Sequence, residues 1–332
     1  MSRTTRPPGY DVTALFPGIA AHAATATRLH PRPGAPDPYR SHVGGPLRWP
    51  AGEPWPACAA DHLVPVEIPV PAAVRDRLKV TNLTRDWPRY QAAIAELASE
   101  IPGFGGVDRR RGTALGHATL PAREPSPLVP VAQLHAADVP DLGAPAGADL
   151  LQVLWCPNDH DTGAEAWTPA VTLRWRRAAD VPEVLAEPPA PVVASEARYL
   201  PRPCVLHPER VVEYPWWQDL PAELGQRVRT WDGQHDGLYH RQLATAPGWK
   251  VGGWPPWPTT DPIPRYCVRC AAPMRHLLQI DSGEWGDARR WRPAGDAGAV
   301  AEPTGVIAGR TGLYRIFHCP ACPDAPVLTD PQ

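Results

Sequence analysis

The sequence predicts an α+β protein of two related lobes from an internal duplication, with mainly antiparallel sheets and zinc-knuckle loops. Three observations predict this class: an internal repeat, short segments of alternating apolar residues, and paired cysteines at metal-ligand spacing. Of the 332 residues 43% are apolar, which is enough to fill a real core. The chain has 46 prolines and 14 tryptophans, so we expect many short strands and stiff loops around packed indole rings.

The internal repeat organises the sequence. Residues 42–50, HVGGPLRWP, return at 250–258 as KVGGWPPWP, with Val-Gly-Gly and a later Trp-Pro at the same offset. Two further matches follow in the same order: 129–134 parallels 275–280 with a penultimate glutamine, and 150–157 parallels 312–320 with a terminal Cys-Pro. Three ordered matches predict a duplicated α+β lobe, in which each Gly-Gly turn precedes two paired strands.

The repeat divides the chain into segments. We predict an N-terminal extension at 1–40, a first lobe at 41–177 with a helical insertion at 71–125, a proline-rich linker at 178–195 and a second lobe at 196–332. Within the insertion, apolar residues of Asp86–Glu100 recur near helical spacing and predict an amphipathic helix. Alternating apolar residues predict strands over 128–134, 150–155 and 171–175.

Two C-x2-C pairs carry the strongest chemical signal. Cys267 and Cys270 form one pair, and Cys319 and Cys322 form the other. Each pair can wrap its backbone as a knuckle around one metal ion, so together they predict a closed site of four thiolates. The alternatives are disulfides, buried apolar cysteines or an iron-sulfur cluster. The regular spacing, the lack of a secretory signal and the all-sulfur ligand set favour zinc.

The first lobe carries a related pattern at the equivalent places. Cys58 and His62 form a C-x3-H pair, and so do Cys156 and His160. Because the repeat aligns the first Cys-Pro with that of the second lobe, we predict a second zinc site of two cysteines and two histidines. The alternative is a metal-free remnant of the duplicated site. The remaining cysteine, Cys204, is predicted to be a buried structural thiol.

Several ordered motifs resemble those of the YwqG-like family, a bacterial family of unknown function. They are Ser41–Pro46, Val131–Leu134, Trp249–Gly253, Leu277–Ser282 and Trp285–Asp287. The resemblance covers most of residues 40–320 and implies an α+β fold of two similar halves around antiparallel sheets. It brings no catalytic residue. This sequence departs from the family in its cysteine pairs and in the 71–125 insertion, so the metal sites depend on spacing alone.

The net charge and the motif content of the sequence exclude several classes of function. A formal net charge of −2 gives no basic field for phosphates, and no apolar run approaches the ~20 residues of a membrane span. We therefore expect a cytoplasmic protein without a nucleic-acid or membrane partner. No sequence motif of a hydrolytic nucleophile or a phosphate-binding loop is present.

Two functions follow from these observations. The first is non-enzymatic recognition of a protein or peptide, through an aromatic groove in which Trp49, Trp55, Trp254 and Trp257 meet; simple packing of these rings is the alternative. The second is a metal-dependent hydrolase. If one first-lobe histidine does not bind, three protein ligands leave a coordination position for water.

Overall fold

The structure is a computed structural model, and it describes residues 5–60, 63–100, 104–107, 115–121, 125–161, 166–191, 197–286, 289–294, 300–309, 311–324 and 326–332. The strands are β1 (Ala24–Arg28), β2 (Arg32–Pro33), β3 (His42–Val43), β4 (Ala57–Cys58), β5 (Leu63–Pro69), β6 (Phe104–Val107), β7 (Leu115–Pro121), β8 (Ser126–Pro127), β9 (Val129–His135), β10 (Leu150–Asp161), β11 (Ala166–Arg176), β12 (Cys204–Val205), β13 (Glu209–Glu213), β14 (Lys250–Gly252), β15 (Arg275–Asp281), β16 (Leu313–His318) and β17 (Leu328–Pro331). The α-helices are α1 (Val12–Leu15), α2 (Ala72–Leu83), α3 (Trp87–Glu100) and α4 (Ala222–Gln234), with a π-helical turn at Tyr239–Leu243. Short 3₁₀ turns lie at Ile19–His22, Pro140–Leu142, Ala178–Asp180, Ala197–Tyr199, Trp217–Asp219 and Arg289–Trp291.

Two six-stranded antiparallel sheets form the centre of the molecule, which confirms an α+β protein with mainly antiparallel pairing. The N-sheet has the order β11-β10-β9-β3-β12-β2, and the C-sheet has the order β13-β1-β14-β15-β16-β17. One large apolar core contains residues of both sheets, among them Leu134 and Val153 from the N-sheet and Leu278 and Ile316 from the C-sheet. The strand residues that alternate with them include polar side chains such as Gln133, which are also buried. The sheets therefore share an apolar interface and bury polar groups on their other faces.

Each sheet contains one strand from the part of the chain that precedes or follows its other main strands. Strand β1, inside the predicted extension 1–40, lies between β13 and β14 of the C-sheet. Strand β12, inside the predicted second lobe, lies between β2 and β3 of the N-sheet. The chain crosses between sheets at two Leu-His-Pro turns, residues 29–31 and 206–208, and the backbone N–H of His207 donates to the carbonyl of Leu29 at 2.9 Å. The predicted boundaries at 40 and 178–195 therefore do not separate the two sheets.

The insertion forms a satellite unit. The predicted amphipathic helix is α3, and it packs on α2 through Val74, Leu78, Ala93 and Leu97. A three-stranded sheet of order β5-β7-β6 accompanies the two helices. Among the described residues, none of the helices combines the length and the apolarity that crossing a bilayer requires.

Candidate metal centres

The four cysteines of the two C-x2-C pairs converge at one end of the C-sheet. Cys267 and Cys270 lie in the hairpin that enters β15, while Cys319 and Cys322 lie in the turn that leaves β16. These strands are antiparallel neighbours, with Arg275 opposite His318, so the hairpin and the turn meet at the same edge. This pairing brings together two motifs that are 49 residues apart.

The sulfur positions suit one tetrahedral ion. All four Sγ atoms lie within 4.8 Å of one another, and those of Cys270 and Cys319 are 3.6 Å apart. Metal–sulfur bonds of ~2.3 Å in a tetrahedron separate the sulfurs by ~3.8 Å, whereas a disulfide bond is only ~2.05 Å long. All seven cysteines lie in the described part of the chain, and none forms a disulfide. The cluster is therefore geometrically suited to a metal ion.

Local backbone geometry shapes the first knuckle. The backbone N–H of Arg269 donates to the Sγ of Cys267 at 3.4 Å, and the N–H of Ala271 donates to the carbonyl of Cys267 at 2.8 Å. Ala271 closes this turn with φ of +57°, in the left-handed region that non-glycine residues seldom adopt. The N–H groups of Arg269 and Cys270 lower the pKa of the Cys267 thiol to about 7. They thus favour the thiolate, which is the form that binds metal.

Two other thiols of the cluster, those of Cys319 and Cys322, resist ionisation in the absence of a cation. Burial raises the pKa of Cys319, and the hydrogen bond with Cys270 raises the pKa of Cys322 to about 12. Several thiolates packed within van der Waals contact repel one another, and a divalent cation at their centre would reverse that repulsion. Cys267 and Cys319 are buried and Cys270 is exposed, so the cluster lies just below the surface.

The first lobe brings together three of its four predicted ligands. Cys58, Cys156 and His160 offer ligand atoms within 4.8 Å of one another, and Cys58 Sγ lies 3.8 Å from His160 Nε2. His62 lies outside the described residues. Asp159, which stands next to His160, accepts a hydrogen bond from the hydroxyl of Tyr199 at 2.5 Å and is therefore already engaged.

A bulge in β10 presents Cys156. Trp155 pairs with Val171 and Asp159 with Pro169, so the three residues 156–158 stand opposite Ala170 alone. In the C-sheet, strand β16 ends at His318, and the second C-x2-C pair follows it. The hydrogen bond with Cys58 and burial raise the pKa of the Cys156 thiol.

Cys204 is a buried thiol, as predicted. Its Sγ donates to the carbonyl of Pro303 at 3.5 Å, and burial raises its pKa to about 11. It lies in β12 within the core that the two sheets share.

The four tryptophans divide between two clusters rather than meeting in one groove. Trp49 and Trp55 contact each other with ring centroids 5.1 Å apart, in a core that includes Cys156. Trp254 and Trp257 instead line a cleft of about 780 Å³. The hairpin of residues 262–274, called here the knuckle hairpin because it contains the first C-x2-C pair, forms part of the cleft wall. This wall was not predicted from the sequence, although its prolines directly follow the Trp-Pro-rich stretch.

Comparisons with models of known protein families and with curated proteins give no match. The resemblance to the YwqG-like family therefore stays a prediction. What can be concluded about the metal centres comes from their geometry.

Proposed function

We propose that this chain is a zinc protein whose four-cysteine site has a structural role, and that the chain acts by recognition rather than catalysis. The observation that carries the proposal is the convergence of four free cysteine sulfurs within 4.8 Å. Zinc fits the donor set best, because an all-thiolate tetrahedron is a common structural zinc site. Four protein ligands leave no coordination position for water, so this site has no means of metal-assisted hydrolysis.

The metal would tether the knuckle hairpin. The backbone hydrogen bonds around the first pair join residues of the hairpin to one another: Cys267 N–H donates to Ala272, and Met274 N–H donates to Arg265. Zinc would add a link from this hairpin to the turn after β16. The test is the metal content of the purified chain by inductively coupled plasma mass spectrometry. We expect zinc at one or two equivalents per chain, and a chain without zinc contradicts the proposal.

We also propose that the first-lobe cluster binds zinc. The three described ligands support this, since thiolate and imidazole are preferred zinc ligands. The alternative, a metal-dependent hydrolase, would need a water in the fourth position and a free base beside it. Asp159 and Asp161 are the two candidate bases, and the carboxylate of Asp159 is already engaged, because it is hydrogen-bonded to Tyr199 and lies 3.7 Å from Arg198. Hydrolysis of activated esters that disappears in the His160→Ala variant would favour the alternative.

An internal duplication explains the parallels between the sheets. The N-sheet runs β2-β12-β3-β9-β10-β11, and the C-sheet runs β13-β1-β14-β15-β16-β17. In both, the second strand comes from the other half of the chain, the third leads into the Gly-Gly motif, and the last three follow in chain order. In each sheet one buried glutamine donates from Nε2 to two carbonyls just before the Gly-Gly strand: Gln133 to Pro38 and Arg40, Gln279 to Ala246 and Gly248. Each of these glutamine-bearing strands also has a bulge two residues before the glutamine. There, residue 131 of β9 and residue 277 of β15 have no partner in β10 and β16, respectively. These shared irregularities support a common ancestor of the two halves.

The same proposal includes three further expectations: membership in the YwqG-like family, a protein or peptide partner, and a cytoplasmic location. The exchange of strands between two similar sheets is consistent with the two-halved fold that the family resemblance implies.

A further inference from the structure

The cleft beside the four-cysteine site has an unusually apolar and exposed wall. Tyr266 is 56% exposed and Ile263 is 45% exposed, and both line the cleft from the knuckle hairpin. Val268, at the tip of the same hairpin, is 74% exposed. Three large apolar side chains within six residues are uncommon on a surface without a partner. Trp254 and Trp257 also line the cleft.

The cleft also contains the end of a strand without a neighbour on one side. Strand β14 pairs with β15 only through Lys250 and Val251, which face Gln279 and Leu278. The first residues of β15, 275–277, line the cleft and have β16 on their other side. No strand in the described chain pairs with them on the cleft side. Extended polypeptides add to such strand ends through main-chain hydrogen bonds, which a carbohydrate or a lipid chain cannot reproduce.

Asp141, Asp219, Arg265 and Arg275 are the charged side chains of the cleft, and the first three each have a hydrogen-bond or ion-pair partner in the described chain. Asp141 accepts hydrogen bonds from the hydroxyls of Thr25 and Thr27, and Arg265 is ion-paired with Asp330. Asp219 accepts a hydrogen bond from Trp257 Nε1 at 3.1 Å. Arg275 is exposed, and no described carboxylate lies within ion-pair distance of its guanidinium. A ligand that complements this cleft therefore carries an acidic group near Arg275.

We propose that the cleft binds an extended peptide segment of a partner protein that combines proline or aromatic residues with an acidic side chain. The proline and aromatic residues would pack against Tyr266, Ile263 and Trp254, and the acidic side chain would pair with Arg275. This proposal rests on the proposed recognition function and names the chemistry of its partner.

The test is selection from a random library of displayed peptides on the immobilised, zinc-loaded full chain, followed by titration of the selected peptides. Selected peptides should be enriched in proline, aromatic and acidic residues. Tyr266→Ala should weaken their binding about tenfold, as expected for an aromatic anchor, and Arg275→Glu should weaken it about fivefold. Tyr10→Ala and Arg89→Glu change exposed residues of the same types elsewhere and should leave binding unchanged.

The outcomes separate this proposal from the zinc proposal. Peptides that bind equally to the wild type and to the Tyr266→Ala and Arg275→Glu variants overturn the cleft assignment. A chain that holds zinc but selects no peptide also overturns the cleft assignment and leaves the zinc proposal intact. Binding to an array of glycans but to no peptide overturns the cleft assignment in the same way. Peptides that depend on Tyr266, selected by a chain without zinc, support the cleft and contradict the metal. Zinc content is therefore measured for every variant.

Discussion

Replacing Cys319 with Ala should sharply destabilise the chain. Cys319 is buried, and its Sγ lies 3.6 Å from that of Cys270, so the substitution removes one of four ligands and leaves three thiols without a complete site. The site joins the ends of β15 and β16, whose residues Leu278 and Ile316 belong to the core that both sheets share. Loss of the metal at this point should therefore lower the stability of the whole fold.

The size of the effect follows from ligand linkage. A metal that only the folded chain binds adds about 4 kcal/mol to the free energy of unfolding when free zinc exceeds its Kd a thousandfold. Unfolding entropy is ~2.1 cal/mol/K per residue, so in a chain of 332 residues each kcal/mol moves the Tm by roughly 1.5 °C and we expect a fall of roughly 6 °C. Differential scanning calorimetry measures this, with and without a zinc chelator.

Cys204→Ala is the matched control. Cys204 is equally buried, but its Sγ contacts only the carbonyl of Pro303 among the hydrogen-bond partners that the described chain offers. Its removal should cost about 1 kcal/mol and leave the response to the chelator unchanged. A structural role of the metal is ruled out if Cys319→Ala lowers the Tm no more than Cys204→Ala does, or if the chelator leaves the Tm of the wild type unchanged.

Three further substitutions test other parts of the account. His160→Ala should lower the zinc content by one equivalent per chain in mass spectrometry, and an unchanged content contradicts a first-lobe site. Lys250→Met removes the ammonium group that lies 2.7 Å from the buried carboxylate of Glu213, and it should lower the free energy of unfolding in urea by about 3–5 kcal/mol. The control Lys79→Met, at the chain's other lysine, should leave that free energy almost unchanged. Burial raises the pKa of Asp281 to about 6. The folded chain therefore binds the proton of this carboxyl more tightly than the unfolded chain does, and the resulting stabilisation, complete at low pH, is lost as the pH rises to about 6. Relative to the wild type, Asp281→Asn should therefore gain up to ~3 kcal/mol of unfolding free energy between about pH 4 and pH 7, and a difference that does not vary with pH contradicts this.

The cysteine cluster could be predicted because its signal is local. A C-x2-C pair needs only a few residues to form a knuckle, and the repeat places both pairs at the ends of strands that turn out to be neighbours. The strands around Gln133 and Gln279 were equally predictable, since alternation of apolar and polar residues depends only on neighbouring positions.

The strand exchange could not be predicted in the same way. Strand β1 belongs to the C-sheet only because the chain crosses between sheets at Leu29-His30-Pro31, and neighbours in sequence do not reveal such a crossing. A signal was present, since Leu206-His207-Pro208 repeats that turn, but three residues are short beside the longer matches. The bulge at 156–158 and the grouping of Trp254 with the knuckle hairpin depend on packing between distant segments, which composition and spacing do not encode.

X-ray absorption at the zinc edge, measured on the purified His160→Ala variant, shows whether the four cysteines hold zinc. This variant keeps the four-cysteine site and lacks one ligand of the first-lobe cluster. The account predicts zinc bound to four sulfur atoms at ~2.3 Å. Iron in place of zinc, a first shell of nitrogen and oxygen, or a metal-free protein in which Cys267, Cys270, Cys319 and Cys322 all react with a thiol reagent would contradict it.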